Sequence, residues 1–93
     1  MNVGLFPLGR IVITPAALEA FERSHQLPVK FLARHVTGYY GLMSEDDGRA
    51  NNYAILNDLR VFSKYALNDG TQFWIITEAD RFSTCILLPS GAL

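Results

Sequence analysis

The chain has 93 residues, 49% of them apolar and 18% charged, with a net charge of −1. That length supports one domain, and the apolar content excludes a disordered chain. The balance of eight Lys and Arg against nine Asp and Glu lacks the basic excess of most nucleic-acid binders and the acidic excess of a DNA mimic. Charge is also sparse for a domain of this size, so part of its surface is expected to be covered by a partner or a second copy.

The single cysteine, Cys85, excludes an internal disulfide. It lies in the apolar run Cys85-Ile86-Leu87-Leu88 and reads as a small hydrophobe. The start, Met1-Asn2-Val3-Gly4-Leu5-Phe6-Pro7, has neither the basic segment nor the long apolar stretch of a secretion signal. No apolar run reaches membrane-spanning length. A cytoplasmic protein with no membrane association is expected.

Taken in order, Arg10–Ile13 reads as a short strand on its β-branched run. Thr14-Pro15 then opens a helix. Thr14 can cap the free N–H groups, and Pro15 wastes no donor at the first helical position. Leu18 and Phe21 are expected to face the core, with the helix ending near Ser24. A second helix is expected over 28–38, with Phe31, Leu32, His35 and Val36 on one side and Gly38 as its stop. Ser44 caps a third helix whose first turn carries Glu45, Asp46 and Asp47, where the helix dipole favours negative charge. Ala50, Tyr53, Ala54 and Leu56 continue it, and Asn57-Asp58 is its exit.

The rest of the chain alternates with period two. Val61, Ser63, Tyr65 and Leu67 point one way; Phe62, Lys64 and Ala66 point the other. Asn68-Asp69-Gly70 is a hairpin turn. A strand over 71–78 follows, with Phe73, Ile75 and Thr77 on one face and Trp74, Ile76 and Glu78 on the other. Ala79-Asp80-Arg81 turns the chain into a last strand over 82–88, ended by Pro89. The expected fold is α+β: a short N-terminal strand, two to three helices, then a three-stranded antiparallel meander with helices on one face. Apolar residues on both sides of the central strand call for cover on both. A second copy of the chain, giving a homodimer, is one candidate for the other face.

Several stretches carry a resemblance. They are Leu8-Gly9-Arg10-Ile11-Val12 with Thr14-Pro15 and Ala17-Leu18-Glu19-Ala20; Phe31-Leu32-Ala33-Arg34-His35 with Gly38; and Trp74-Ile75-Ile76-Thr77-Glu78-Ala79-Asp80-Arg81 followed by Thr84 and Ile86-Leu87-Leu88-Pro89. Together they resemble a family of similarly short proteins of plasmids, integrative elements and proteobacterial genomes, some labelled subunit M of a type I restriction enzyme. The resemblance implies a mobile-element setting and brings no catalytic residues. Where the family shows Asp-Trp-Gly after Gly38, this chain has Tyr39-Tyr40-Gly41; where the family has two threonines, it has Thr84-Cys85. Were the missing Asp catalytic, this copy would be impaired. Asp47 and Asn51 keep the family pattern.

Three groups of candidate site residues follow. His35 has a side chain suited to acid–base work; the alternative is a helix-end imidazole bonded to backbone. Glu78, Asp80, Arg81 and Thr84 are expected to gather at one exposed end of the sheet, with Arg81 able to grip a phosphate or carboxylate; the alternative is a turn bond from Asp80 and a surface pair of Glu78 with Arg81. Tyr39 and Tyr40, with Leu42 and Met43, form an aromatic loop suited to protein binding if exposed, or to covering the core if not. No Cys/His spacing suits zinc, and Glu78-x-Asp80 offers too few oxygens for a hard cation. No cofactor is expected.

Two functions compete. The first is a non-enzymatic binding protein of a mobile element that modulates a host defence complex, of restriction or CRISPR type, by covering a working surface. The second is a small metal-independent RNase using His35 as acid/base, Arg81 as phosphate anchor and Lys64 beside them. Convergence of those three in one cleft would favour it. Nucleic acid is the less favoured partner.

Overall fold

A computed structural model describes residues 4–89. It shows an α+β fold of three helices and one mixed four-stranded sheet. In chain order the elements are β1 (Arg10–Ile13), α1 (Pro15–Ser24), α2 (Val29–Val36), α3 (Glu45–Leu56), β2 (Val61–Ala66), β3 (Gln72–Thr77) and β4 (Ser83–Leu87). β2, β3 and β4 form the expected antiparallel meander. The meander does not end at β4: β1 adds to it in parallel, pairing Arg10 with Ser83 and Ile13 with Ile86, so the order is β1-β4-β3-β2. A parallel partner distant in sequence leaves no local signal, since only a hairpin announces its pairing through its turn.

The helix caps follow the sequence. Thr14 Oγ1 accepts from the N–H of Ala17 at 3.3 Å, with Pro15 at the first helical position. Ser44 Oγ accepts from the N–H of Asp47 at 3.2 Å, with three acids in the first turn of α3. α1 presents Ala17, Ala20 and Phe21 to the sheet, and Leu18 stays 46% exposed. The two alanines bring the helix backbone close enough for Phe21 to reach Phe73, with ring centroids 4.9 Å apart. In α3 the buried residues are Asn51 and Ala54, while Tyr53 and Leu56 face outward.

The helices cover one face only. The buried Val61, Ser63, Tyr65 and Leu67 point to it, and the more exposed Phe62, Lys64 and Ala66 between them point away. Phe21, Phe31, Tyr65 and Phe73 form an aromatic core with Ile75 and Ile86. Phe6, Tyr40, Ala54 and Val61 make a second cluster. On the other face Phe62, Trp74, Ile76 and Cys85 are half-buried, and no second layer covers them among the described residues. Among the described residues no helix is long and apolar enough to cross a membrane.

Candidate functional site

The sheet separates Lys64 from His35, while Thr84 shares the helix-covered face with His35. His35 is fully buried on the helix-covered face. Its Nδ1 lies 2.5 Å from Ser63 Oγ and its Nε2 2.9 Å from Thr77 Oγ1. Thr77 Oγ1 lies 2.7 Å from Thr84 Oγ1, and the Thr84 hydroxyl donates to the Leu8 carbonyl at 2.7 Å. One carbonyl at the end of this chain sets every proton in it, because a carbonyl only accepts and each hydroxyl has one proton. Thr84 gives its proton to Leu8, so Thr77 donates to Thr84. His35 must then donate from Nε2 to Thr77, which leaves Nδ1 to accept from Ser63. The imidazole is thereby assigned as the neutral Nε2–H tautomer. Burial pushes its pKa down to about 4, since a charged ring here would lose its water.

This arrangement is complete in itself. Both ring nitrogens are engaged, and no solvent reaches them. Lys64 alternates with Ser63 along β2 and therefore projects from the opposite face, paired in register with Trp74. His35 and Lys64 do not share a cleft.

Arg81 is likewise engaged by its own chain. It stands in the β3–β4 turn with φ 64°. Its Nη1 donates to the carbonyls of Leu59 at 2.6 Å, Glu78 at 3.0 Å and Ala79 at 3.2 Å, and its Nη2 donates to Ala54 at 3.1 Å. The guanidinium also lies over the Phe6 ring, 5.6 Å from its centroid. It ties the turn to the C-terminal end of α3, where a cation suits the helix dipole.

The expected gathering of four side chains around this turn does not occur. Thr84 is fully buried on the helix side. Glu78 pairs with Arg60 at 3.3 Å, and Asp80 accepts the N–H of Phe82 at 2.9 Å. Asp80 thus makes the turn bond of the alternative reading, whereas the surface partner of Glu78 is Arg60 and not the expected Arg81.

Tyr39 and Tyr40 are placed differently. They follow α2 and lie against the free edge of β2. The Lys64 N–H donates to the Tyr40 carbonyl at 3.1 Å, and the Leu42 N–H donates to the Lys64 carbonyl at 2.7 Å. Gly41 between them has φ 74°, and a Cβ there would sit 2.0 Å from the Lys64 carbonyl oxygen. Only glycine permits this approach. Arg34, Gly38, Tyr39, Tyr40, Gly41 and Tyr65 line an open cleft of about 630 Å³.

Tyr40 and Tyr65 are buried within its wall, and Tyr39 is 71% exposed. The Tyr65 hydroxyl donates to the Tyr39 carbonyl and so fixes the loop to the sheet. Desolvation pushes the Tyr65 phenol up to about 12, which keeps it a neutral donor. Arg34 lies over the Phe31 ring at 5.6 Å, and Lys30 lies over the same ring at 5.1 Å. Neither cation is in a salt bridge among the described residues. The cleft therefore combines an exposed aromatic ring with positive charge free to meet an anionic group. Sequence reading found its tyrosines but not Arg34, whose place at the rim depends on how α2 packs against β2.

Among the described residues no cluster of three or more His, Cys, Asp or Glu is placed to hold a metal ion. Comparison of the chain with protein-family models, curated proteins and solved structures found no match in any of the three.

Proposed function

We propose that this chain is a protein-binding module that acts through the tyrosine cleft at the β2 edge. The observation that carries this reading is the cleft itself. A protruding Tyr39 stands beside Arg34, on a loop fixed by backbone bonds to β2. Tyr and Arg are among the side chains that most often dominate binding energy: Tyr brings large contact area with few torsions to freeze, and Arg a planar fork of donors that matches a carboxylate. In the mobile-element setting that the sequence resemblance implies, the partner is a host defence complex, of restriction or CRISPR type, and the mode of action is blockade of one of its surfaces. An acidic side chain or a terminal carboxylate of that partner would meet Arg34.

The RNase reading loses support from the placement of its three residues. His35 is enclosed and fully bonded, Arg81 spends its donors on backbone carbonyls, and Lys64 lies across the sheet. The test is capture from host lysate on immobilised wild-type protein and on an Arg34→Glu variant in parallel. A single defence complex in stoichiometric amount on the wild type, lost with the variant, supports the proposal. RNA as the main captured species, or equal retention of the same complex by both, overturns it.

A further inference from the structure

The sheet face that no helix covers among the described residues has a pattern of its own. Alternation and register place two lateral rows across its middle: Lys64, Trp74 and the buried Leu87, then Phe62, Ile76, Cys85 and Val12. The Phe62 and Trp74 rings pack together with centroids 5.1 Å apart. The next row holds Arg60, Glu78, Ser83 and Arg10; Arg60 and Glu78 pair with each other. The face thus carries three cations and one carboxylate, an excess of two positive charges on a chain whose net charge is −1. Lys64 and Arg10, at opposite ends of the apolar rows, make no salt bridge among the described residues.

We infer that this face is a second docking surface, and that its occupant is an apolar segment of a partner protein flanked by carboxylates. The inference goes beyond the cleft and does not depend on it. Three features select this occupant. In the middle rows Val12, Ile76 and Cys85 offer no stacking surface for bases, Leu87 is buried, and the Phe62 and Trp74 rings are packed against each other, so a nucleic acid would leave most of the face unmatched. The charge excess sets two like-charged faces against each other in a homodimer, whereas carboxylates on a partner would neutralise Lys64 and Arg10. The size also fits. At a spacing of about 4.8 Å between strands and a rise of about 3.3 Å per residue, the face measures roughly 19 by 17 Å. That is enough for an amphipathic helix of about 12 residues but small beside the roughly 800 Å² that each partner commits in a standard stable pair.

Trp74 is the only tryptophan and lies in the middle of this face, so its emission reports occupancy directly. The probes are two synthetic amphipathic helices with the same Leu and Ala stripe, one flanked by Glu and the other by Lys. The Glu-flanked peptide is expected to shift Trp74 emission saturably and to bind at least about ten-fold more tightly than its Lys counterpart. The double variant Lys64→Glu, Arg10→Glu should lose that preference. Three results would overturn the inference. One is equal affinity for the two peptides, or none for either. Another is a concentration-dependent Trp74 shift in the protein alone, with a dimer mass in sedimentation. The last is a tighter response to a single-stranded oligouridylate.

Discussion

Asn51 holds both outward-facing backbone groups of Phe62. Its Nδ2 donates to the Phe62 carbonyl at 2.6 Å, and its Oδ1 accepts from the Phe62 N–H at 3.0 Å. A side-chain amide here reproduces the two bonds that a neighbouring strand would make. One pleat further along, the Tyr40–Gly41–Leu42 segment does the same for Lys64. Two separate devices thus close the β2 edge, and a free edge is the usual route to unwanted strand pairing.

Asn51→Ala should therefore act in two ways. It leaves a donor and an acceptor of Phe62 without partners, which costs about 2 kcal/mol. It also reopens part of the edge. Urea unfolding should show the loss of stability, and light scattering during refolding should show more association than in wild type. Unchanged behaviour in both would mean that water replaces the amide without cost.

Gly41 should tolerate no side chain. Gly41→Ala sets a Cβ against the Lys64 carbonyl and strains a backbone with positive φ. The loop must then leave β2, and with it the Tyr39 carbonyl that Tyr65 holds. The variant is expected to lose partner binding as fully as Arg34→Glu, with a lower melting temperature. A variant with wild-type thermal stability and wild-type binding would show that the loop does not need this contact.

Arg81→Ala should lower the melting temperature by about 10 °C or more. Four carbonyls lose a charged donor, a loss of about 2–3 kcal/mol after allowing for partial exposure. Arg81→Lys should recover only part of this, since an ammonium cannot span the fork that reaches both Ala54 and Leu59. A melting temperature within two or three degrees of wild type for the alanine variant would count against the structural role.

The sequence made the local features of this fold readable and left the non-local ones out of sight. Caps at Thr14 and Ser44, the hairpin turn at Asn68-Asp69-Gly70 and the period-two strands are set by neighbours in the chain. Three features needed tertiary contacts. β1 joins β4 across most of the chain. Leu18 yields the core to Ala17 and Ala20 because the helix lies close to the sheet. Asn51, read from sequence only as part of a family pattern, caps an edge strand eleven residues away. The polar face of the site is hidden from the sequence for the same reason. Arg81 and Thr84 look like surface chemistry beside a turn until the C-terminal end of α3 and the His35 network are seen to use them.

His35 should give the protein a defined acid sensitivity. In the fold its pKa stands near 4, against about 6.5 for an imidazole in the unfolded chain. Between these values the unfolded state binds the extra proton, so stability rises with pH there. The contribution is complete above about pH 6.5 and is lost as the pH falls towards 4, a total of about 3 kcal/mol. Protonation would also break the directed chain of hydrogen bonds, because Nδ1 would become a donor facing the proton that Ser63 now gives it. Urea midpoints measured across this window should fall steadily in the wild type. In His35→Gln the baseline should be lower, but the slope should flatten, since the titrating group is gone while one donor and one acceptor remain. Thr77→Val provides the complementary case: it breaks the chain while keeping the imidazole, so stability should drop at every pH and the slope should persist. A folded-state imidazole resonance for His35 that titrates near 6.5 would contradict the buried neutral tautomer and the pH dependence drawn from it.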